Sequence, residues 1–213
     1  NQEALRNFAY EALKKTHDTA QYLIAGHYGK SAQLKYFAGG STGGREALAV
    51  IQKWPRDFNG VIALYPAFAA AALDLQFGRI TRALAHPGAY PNQQKRDVLY
   101  KAGMQACDEL DGVRDGLISN QRQCNRIFDP ARATVDGRPL RCEGGADTGN
   151  QCLSDAQIRA MKVFASDIVF NPPLGSGEVR HAGFNTWGVD LGRPAGDSKL
   201  QATVNYLNLG SIA

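Results

Sequence analysis

Gly39-Gly40-Ser41-Thr42-Gly43 matches the pattern G-x-S-x-G, which suits a serine nucleophile presented on a sharp turn between a strand and a helix. The chemistry would be acyl transfer: the serine oxygen attacks a carbonyl, and N–H groups at the start of the helix stabilise the oxyanion that forms. The flanking residues meet both requirements. Leu34 to Ala38 is short, apolar and aromatic, and predicts the strand. Arg45 to Lys53 is built of good helix formers with a cationic last turn, and predicts the helix. A serine here would hold a strained backbone that small neighbours must tolerate, with Oγ lifted above the sheet. Ser41 is the candidate nucleophile and the Thr42 N–H the candidate oxyanion-hole donor. The bare pentapeptide also fits a glycine-rich turn with an incidental serine; the strand, the helix and the paired glycines on both sides favour the nucleophile.

A second stretch carries chemistry of another kind. In Cys107-Asp108-Glu109-Leu110-Asp111-Gly112-Val113-Arg114-Asp115-Gly116-Leu117-Ile118 the aspartates recur three and then four residues apart, with glycines that permit tight turns. Such oxygen-rich loops suit calcium, which takes about six to eight oxygen ligands. Asp108, Asp111 and Asp115 would give carboxylates, and Val113 and Leu117 backbone carbonyls. The ion's role would be structural, since clustered carboxylates repel unless a cation lies between them. The register is not that of an EF-hand. The other reading is a solvated acidic turn whose aspartates accept hydrogen bonds from their own loop.

The four cysteines, Cys107, Cys124, Cys142 and Cys152, permit two disulfides in any of three pairings. Their spacing is not C-x-x-C, which argues against zinc. The Gly-, Asp-, Asn- and Arg-rich loops around them favour disulfides and an oxidising compartment.

A serine nucleophile needs a base and an orienting acid, in the chain order Ser, Asp or Glu, His for this kind of elbow. His17 and His27 precede Ser41; His17 reads as a packed or capping residue of a helix. His86 lies in the loop to Pro91, and His181 in a glycine-rich stretch with no evident strand to deliver it. Asp57 reads as support for the turn after the elbow helix.

The elements that must position these groups follow from periodicity. Residues 3 to 25 predict one or two helices ended by Gly26. Trp54 to Gly60 is a turn, and Val61 to Tyr65 a strand closed by Pro66, which completes a βαβ unit with a parallel, buried sheet. Ala67 to Leu73 is alanine-rich, Phe77 to Leu84 predicts a helix, and so does Gln93 to Asp108. Residues 128 to 149 read as irregular. Ser154-Asp155-Ala156-Gln157 is a capping box for a helix with Ile158, Met161 and Phe164 on its apolar face. Asn171 to Asp197 is rich in Pro and Gly; Phe184 and Trp187 there would join the core or line a pocket for an aromatic substrate. Leu200 to Ala213 carries no closing signal.

Tyr36 to Leu48, followed by Trp54-Pro55-Arg56-Asp57-Phe58-Asn59-Gly60-Val61-Ile62, resembles the core of the tannase and feruloyl esterase family, which includes bacterial hydrolases of mono(2-hydroxyethyl) terephthalate. The family pattern is close to Y-F-x-G-C-S-x-G-G-R, a helix, and Y-P-x-D-F-D-G-I. The chain departs from it at Gly40, where the family has a cysteine that bridges to one beside the catalytic histidine.

The resemblance implies a partial α/β-hydrolase core in residues 1–66, with the elbow. It implies a large lid domain, inserted after the strand that follows the nucleophile helix, in 67–213. It also implies a calcium loop in that lid, the disulfides Cys107–Cys124 and Cys142–Cys152, and a small ester of an aromatic acid as substrate. The triad acid and histidine are expected beyond residue 213. The chain, which opens on Asn1-Gln2-Glu3 inside a helical pattern, then reads as an inactive fragment of a longer secreted or periplasmic enzyme. The rival readings are a lipase or acyltransferase sharing only the elbow, and a calcium-binding module on a degenerate hydrolase core. A net charge of +4 from 24 basic and 20 acidic residues gives no sign of nucleic-acid binding. No apolar run is long enough to span a membrane, and oligomeric state is not encoded in any pattern.

Overall fold

Residues 1–189 and 191 are described by a computed structural model. The described residues form two compact units, Asn1–Ala70 and a second beginning at Ala71. Leu200 to Ala213, and the end of the Pro- and Gly-rich stretch, lie outside the described residues.

The first unit opens with helix α1, Gln2–Arg6, whose first N–H groups are capped by the Asn1 side chain. A π-helical stretch, Asn7–Glu11, leads into α2, Ala12–Tyr28. The helix does not end at Gly26 as its sequence suggests; it runs to Gly29, whose φ of 67° supplies the left-handed cap. Strand β1, Tyr36–Gly40, lies two residues later than the apolar run predicts, because both glycines join the ladder. Helix α3, Thr42–Lys53, begins directly after Ser41 rather than at Arg45. Strand β2, Gly60–Leu64, pairs parallel to β1 in the register Tyr36↔Gly60 to Gly40↔Leu64. This is the predicted βαβ unit. Helix α3 buries Gly44, Ala47 and Val50, while Tyr36, Ile62 and Leu64 leave the other sheet face exposed.

Aromatic and charged contacts set α2 against this layer. Tyr10 meets Trp54, and the His17 ring meets Phe58 at 5.0 Å, which in turn packs on Phe37. Lys14 Nζ donates to Asp57 at 2.6 Å and to Asp18 at 2.8 Å. Asp57 thus ties its turn to the preceding helix.

The second unit is helical. Helix α4, Ala70–Leu84, takes in most of both segments that the sequence separates. Helix α5, Gln93–Cys107, is followed by a 3₁₀ turn, Asp108–Asp111; α6 is Gln121–Ile127, and α7, Asp155–Ala165, carries the predicted capping box. The stretch expected to be irregular holds a small hairpin, β3 (Thr134–Val135) with β4 (Arg138–Pro139). Its turn residues Asp136 and Gly137 have φ of 49° and 74°, the left-handed pair that an Asp-Gly hairpin turn requires. A second small ladder pairs β5, Ile168–Val169, with β6, Arg180–His181, so His181 does sit on a short strand.

The core gathers Leu99, Leu140, Leu153, Met161, Phe164 and Trp187, the last packed on Phe128. Ile158, Met161 and Phe164 face inward as predicted. Cys107–Cys124 and Cys142–Cys152 are disulfides. Among the described residues no helix is long and apolar enough to cross a membrane.

Lys95 is buried, yet its ammonium is satisfied by the carbonyls of Gly149 and Cys152, both at 2.7 Å, and by Asp147 at 2.9 Å. The Lys95 ammonium hydrogen-bonded to Asp147 holds that carboxyl below its ordinary value of 3.8. A depressed folded-state value stabilises above the unfolded one and is lost as pH falls through the folded one. Asp147→Asn, half-exposed and therefore screened, is expected to cost about 1 kcal/mol near neutral pH. Thermal melts across pH 2 to 7 should show that difference from the parent shrinking below about pH 4.

Candidate active site

Ser41 takes φ 57° and ψ −116°, between the last residue of β1 and the first of α3. Its N–H donates to the Leu64 carbonyl at 3.1 Å, extending the β1–β2 ladder by one bond. Its carbonyl accepts from the N–H groups of Arg45 and Ala67, both at 3.1 Å. A serine before a helix ordinarily turns its Oγ back onto the first-turn N–H groups. Ser41 makes no such cap, and its side chain is exposed. The first-turn N–H groups, that of Thr42 first among them, have no intrahelical acceptor. An exposed hydroxyl beside unspent N–H donors is the arrangement that attack on a carbonyl and stabilisation of its oxyanion require.

The glycines around the serine meet a steric demand. A Cβ at Gly39 would lie 2.3 Å from the Gly43 carbonyl oxygen, and one at Gly44 would lie 2.5 Å from the Leu64 oxygen and 2.8 Å from Pro66 Cα. The helix can start this close to the two strand ends only without side chains there. Gly40 is crowded by a side chain instead: its Cβ would lie 2.8 Å from the Tyr65 hydroxyl. Tyr65 itself has φ 34°. The sequence reading treats Tyr65 only as the end of a strand; its meeting with Gly40 depends on the register of the ladder, which no local pattern reports.

No hydrogen-bond partner of Ser41 Oγ occurs among the described residues. His17 turns its Nδ1 to Asp18 at 3.0 Å and buries an unpartnered Nε2; His27 packs edge-on against Tyr28. His17, Asp18 and Asp57 are the only His, Cys, Asp or Glu trio among the described residues with donor atoms within 4.8 Å of one another. Lys14 already supplies the cation there, and the hydrogen bonds it donates to Asp18 and Asp57 raise its pKa.

Asp108, Asp111 and Asp115 lie in one loop but not within that mutual distance. Asp108 accepts from the Gly116 N–H, Asp111 from those of Val113 and Ser119, and Asp115 from that of Leu117. The Val113 bond holds the Asp111 carboxyl below the usual carboxylate range. Asp108 is buried and has no cationic partner among the described residues. A buried carboxylate compensated by a backbone N–H alone, in a loop otherwise rich in oxygens, fits a hard divalent cation chemically.

The family described as Tannase and feruloyl esterase matches residues 1–210. The chain belongs to that family. It is 34% identical over 192 residues to an uncharacterized esterase of Agrobacterium fabrum, covering 87% of this chain and 34% of that protein. It is 29% identical over 207 residues to the mono(2-hydroxyethyl) terephthalate hydrolase of Piscinibacter sakaiensis, covering 89% and 32%. The crystal structure of feruloyl esterase B from Aspergillus oryzae superimposes with a TM-score of 0.69 at 25% identity, covering 88% of this chain and 35% of that one. The likeness is consistent with a fold of the α/β-hydrolase type. The chain spans about a third of the length of the curated relatives it matches.

Because the Gly44 contacts are to backbone, Gly44→Ala is expected to cost about 1–3 kcal/mol through forced separation of α3 from β2. Chemical denaturation should show a lower midpoint at unchanged slope, and an unchanged midpoint would mean that the helix start has room to shift.

Proposed function

We propose that the chain is part of a serine carboxylic-ester hydrolase acting on esters of aromatic acids of the feruloyl, galloyl or terephthaloyl type. The observation that carries this is the uncapped, exposed Ser41 in a left-handed backbone between parallel strand and helix, in a member of the tannase and feruloyl esterase family. Ser41 Oγ attacks the ester carbonyl carbon and its proton passes to a base. The Thr42 N–H stabilises the oxyanion, and the alcohol leaves with a proton to give an acyl-enzyme. Water then attacks the acyl-enzyme, releasing the aromatic acid and restoring Ser41.

The base and its acid come from residues outside these 213. An exposed apolar face on the two-stranded sheet supports that reading, since parallel sheets are covered on both sides. The second unit belongs to the lid domain that the family resemblance implies. Asp108, Asp111 and Asp115, with the carbonyls of Val113 and Leu117, hold a structural calcium ion, which supplies cross-linking charge to the loop. Two disulfides suit a secreted or periplasmic protein.

In the full-length protein a fluorophosphonate should label Ser41, and Ser41→Ala should abolish both labelling and aryl-ester turnover. The 213 residues alone should not turn over an aryl ester. Turnover by them that Ser41→Ala removes would place the base within this chain. Millimolar calcium should raise the melting temperature and a chelator lower it, with Asp108→Asn insensitive to both. Equal melting with and without calcium would reduce the loop to an acidic turn.

A further inference from the structure

Among the described residues, the non-glycine positions with left-handed backbone are Ser41, Tyr65 and Asp136. Asp136 belongs to a hairpin turn. The other two are neighbours in space. Ser41 donates to the residue before Tyr65 and accepts from Ala67, two residues after it. An aromatic residue with φ 34° is strained, and such strain persists only where the surroundings impose it. Here the two bonds to Ser41 bracket it, so one backbone arrangement sets both residues.

That arrangement lays the Tyr65 phenol over Gly40. A Cβ on residue 40 would lie 2.8 Å from the hydroxyl oxygen and 2.9 Å from Cζ. Tyr65 is 78% exposed, and its hydroxyl has no protein partner among the described residues. An exposed donor is therefore held over the residue adjoining Ser41.

We propose that Tyr65 is a substrate-contacting hydrogen-bond donor of the Ser41 site. Its phenol O–H donates to the ester's carbonyl oxygen as that oxygen takes on charge, beside the Thr42 N–H. Gly40 makes the room the ring requires. The inference rests on Ser41 as nucleophile.

The test uses the full-length protein and an aryl ester. Tyr65→Phe keeps the ring and removes only the donor; it is expected to lower kcat by about tenfold to a hundredfold with KM nearly unchanged. Gly40→Ala pushes the phenol aside and should lower kcat similarly. The double variant should be no worse than the poorer single one, since both remove the same interaction. Wild-type kcat in Tyr65→Phe, with Ser41 still labelled by fluorophosphonate, overturns the role of Tyr65 and leaves Ser41 standing. Failure to label Ser41 in the parent protein overturns both.

Discussion

The left-handed backbone at Ser41 is the constraint on which the first unit depends. A serine of ordinary extended geometry would cap α3 with its own hydroxyl and consume both the hydroxyl and the helix's first N–H groups. At φ 57° it does neither. Three backbone hydrogen bonds compensate the strain: one from Ser41 to Leu64, and two to the Ser41 carbonyl from Arg45 and Ala67. These bonds reach β2, α3 and the segment after β2, so the elbow is also the joint of the βαβ unit. Gly39 and Gly44 are required because that joint brings backbone to within the space of a single methyl group.

The second unit solves a different problem. Among its described residues the longest ladders are two residues per strand, too short to rely on sheet hydrogen bonding. Side chains satisfy its irregular backbone instead. Lys95 reaches two carbonyls in the Cys142–Cys152 loop, and Gln76 and Arg79 reach those around Ser166. Disulfides spanning 17 and 10 residues restrict the unfolded chain as well, the second across the loop that Lys95 anchors, each worth about 3 kcal/mol on a chain-entropy estimate. Buried polar anchors leave little freedom to rearrange, because losing one partner strands the other in a dry site.

Much of this was legible in the sequence because its signals are local. The elbow, the βαβ order, the Ser154 capping box and the inward face of α7 all follow from spacing within a dozen residues. The differences are of two kinds. At Gly26 and at Gly39-Gly40 the sequence suggests a stop, whereas helix and strand pass through when a later residue provides the cap or a partner strand provides the ladder. The Asp136-Gly137 hairpin escapes periodicity although its turn signal is explicit, because the strands are too short to show alternation. What could not be read was long-range: the Lys14 bridge to Asp57, the burial of Lys95 and the meeting of Tyr65 with Gly40 arise between residues distant in sequence.

Gly40 marks the chain's departure from the cysteine-containing pattern it resembles, and the structure shows what fills the space beside it. The volume a side chain at 40 would claim is taken by the Tyr65 ring. Any side chain restored at 40 would first have to displace an aromatic group held by its own left-handed backbone, so the residues at 40 and 65 must be considered together. A small residue at 40 permits a large one at 65. The arrangement puts a polar aromatic side chain beside Ser41 where the resembled pattern has a cysteine. Rigidity at this point then comes from the three backbone bonds to Ser41, which no side-chain change at 40 or 65 removes directly.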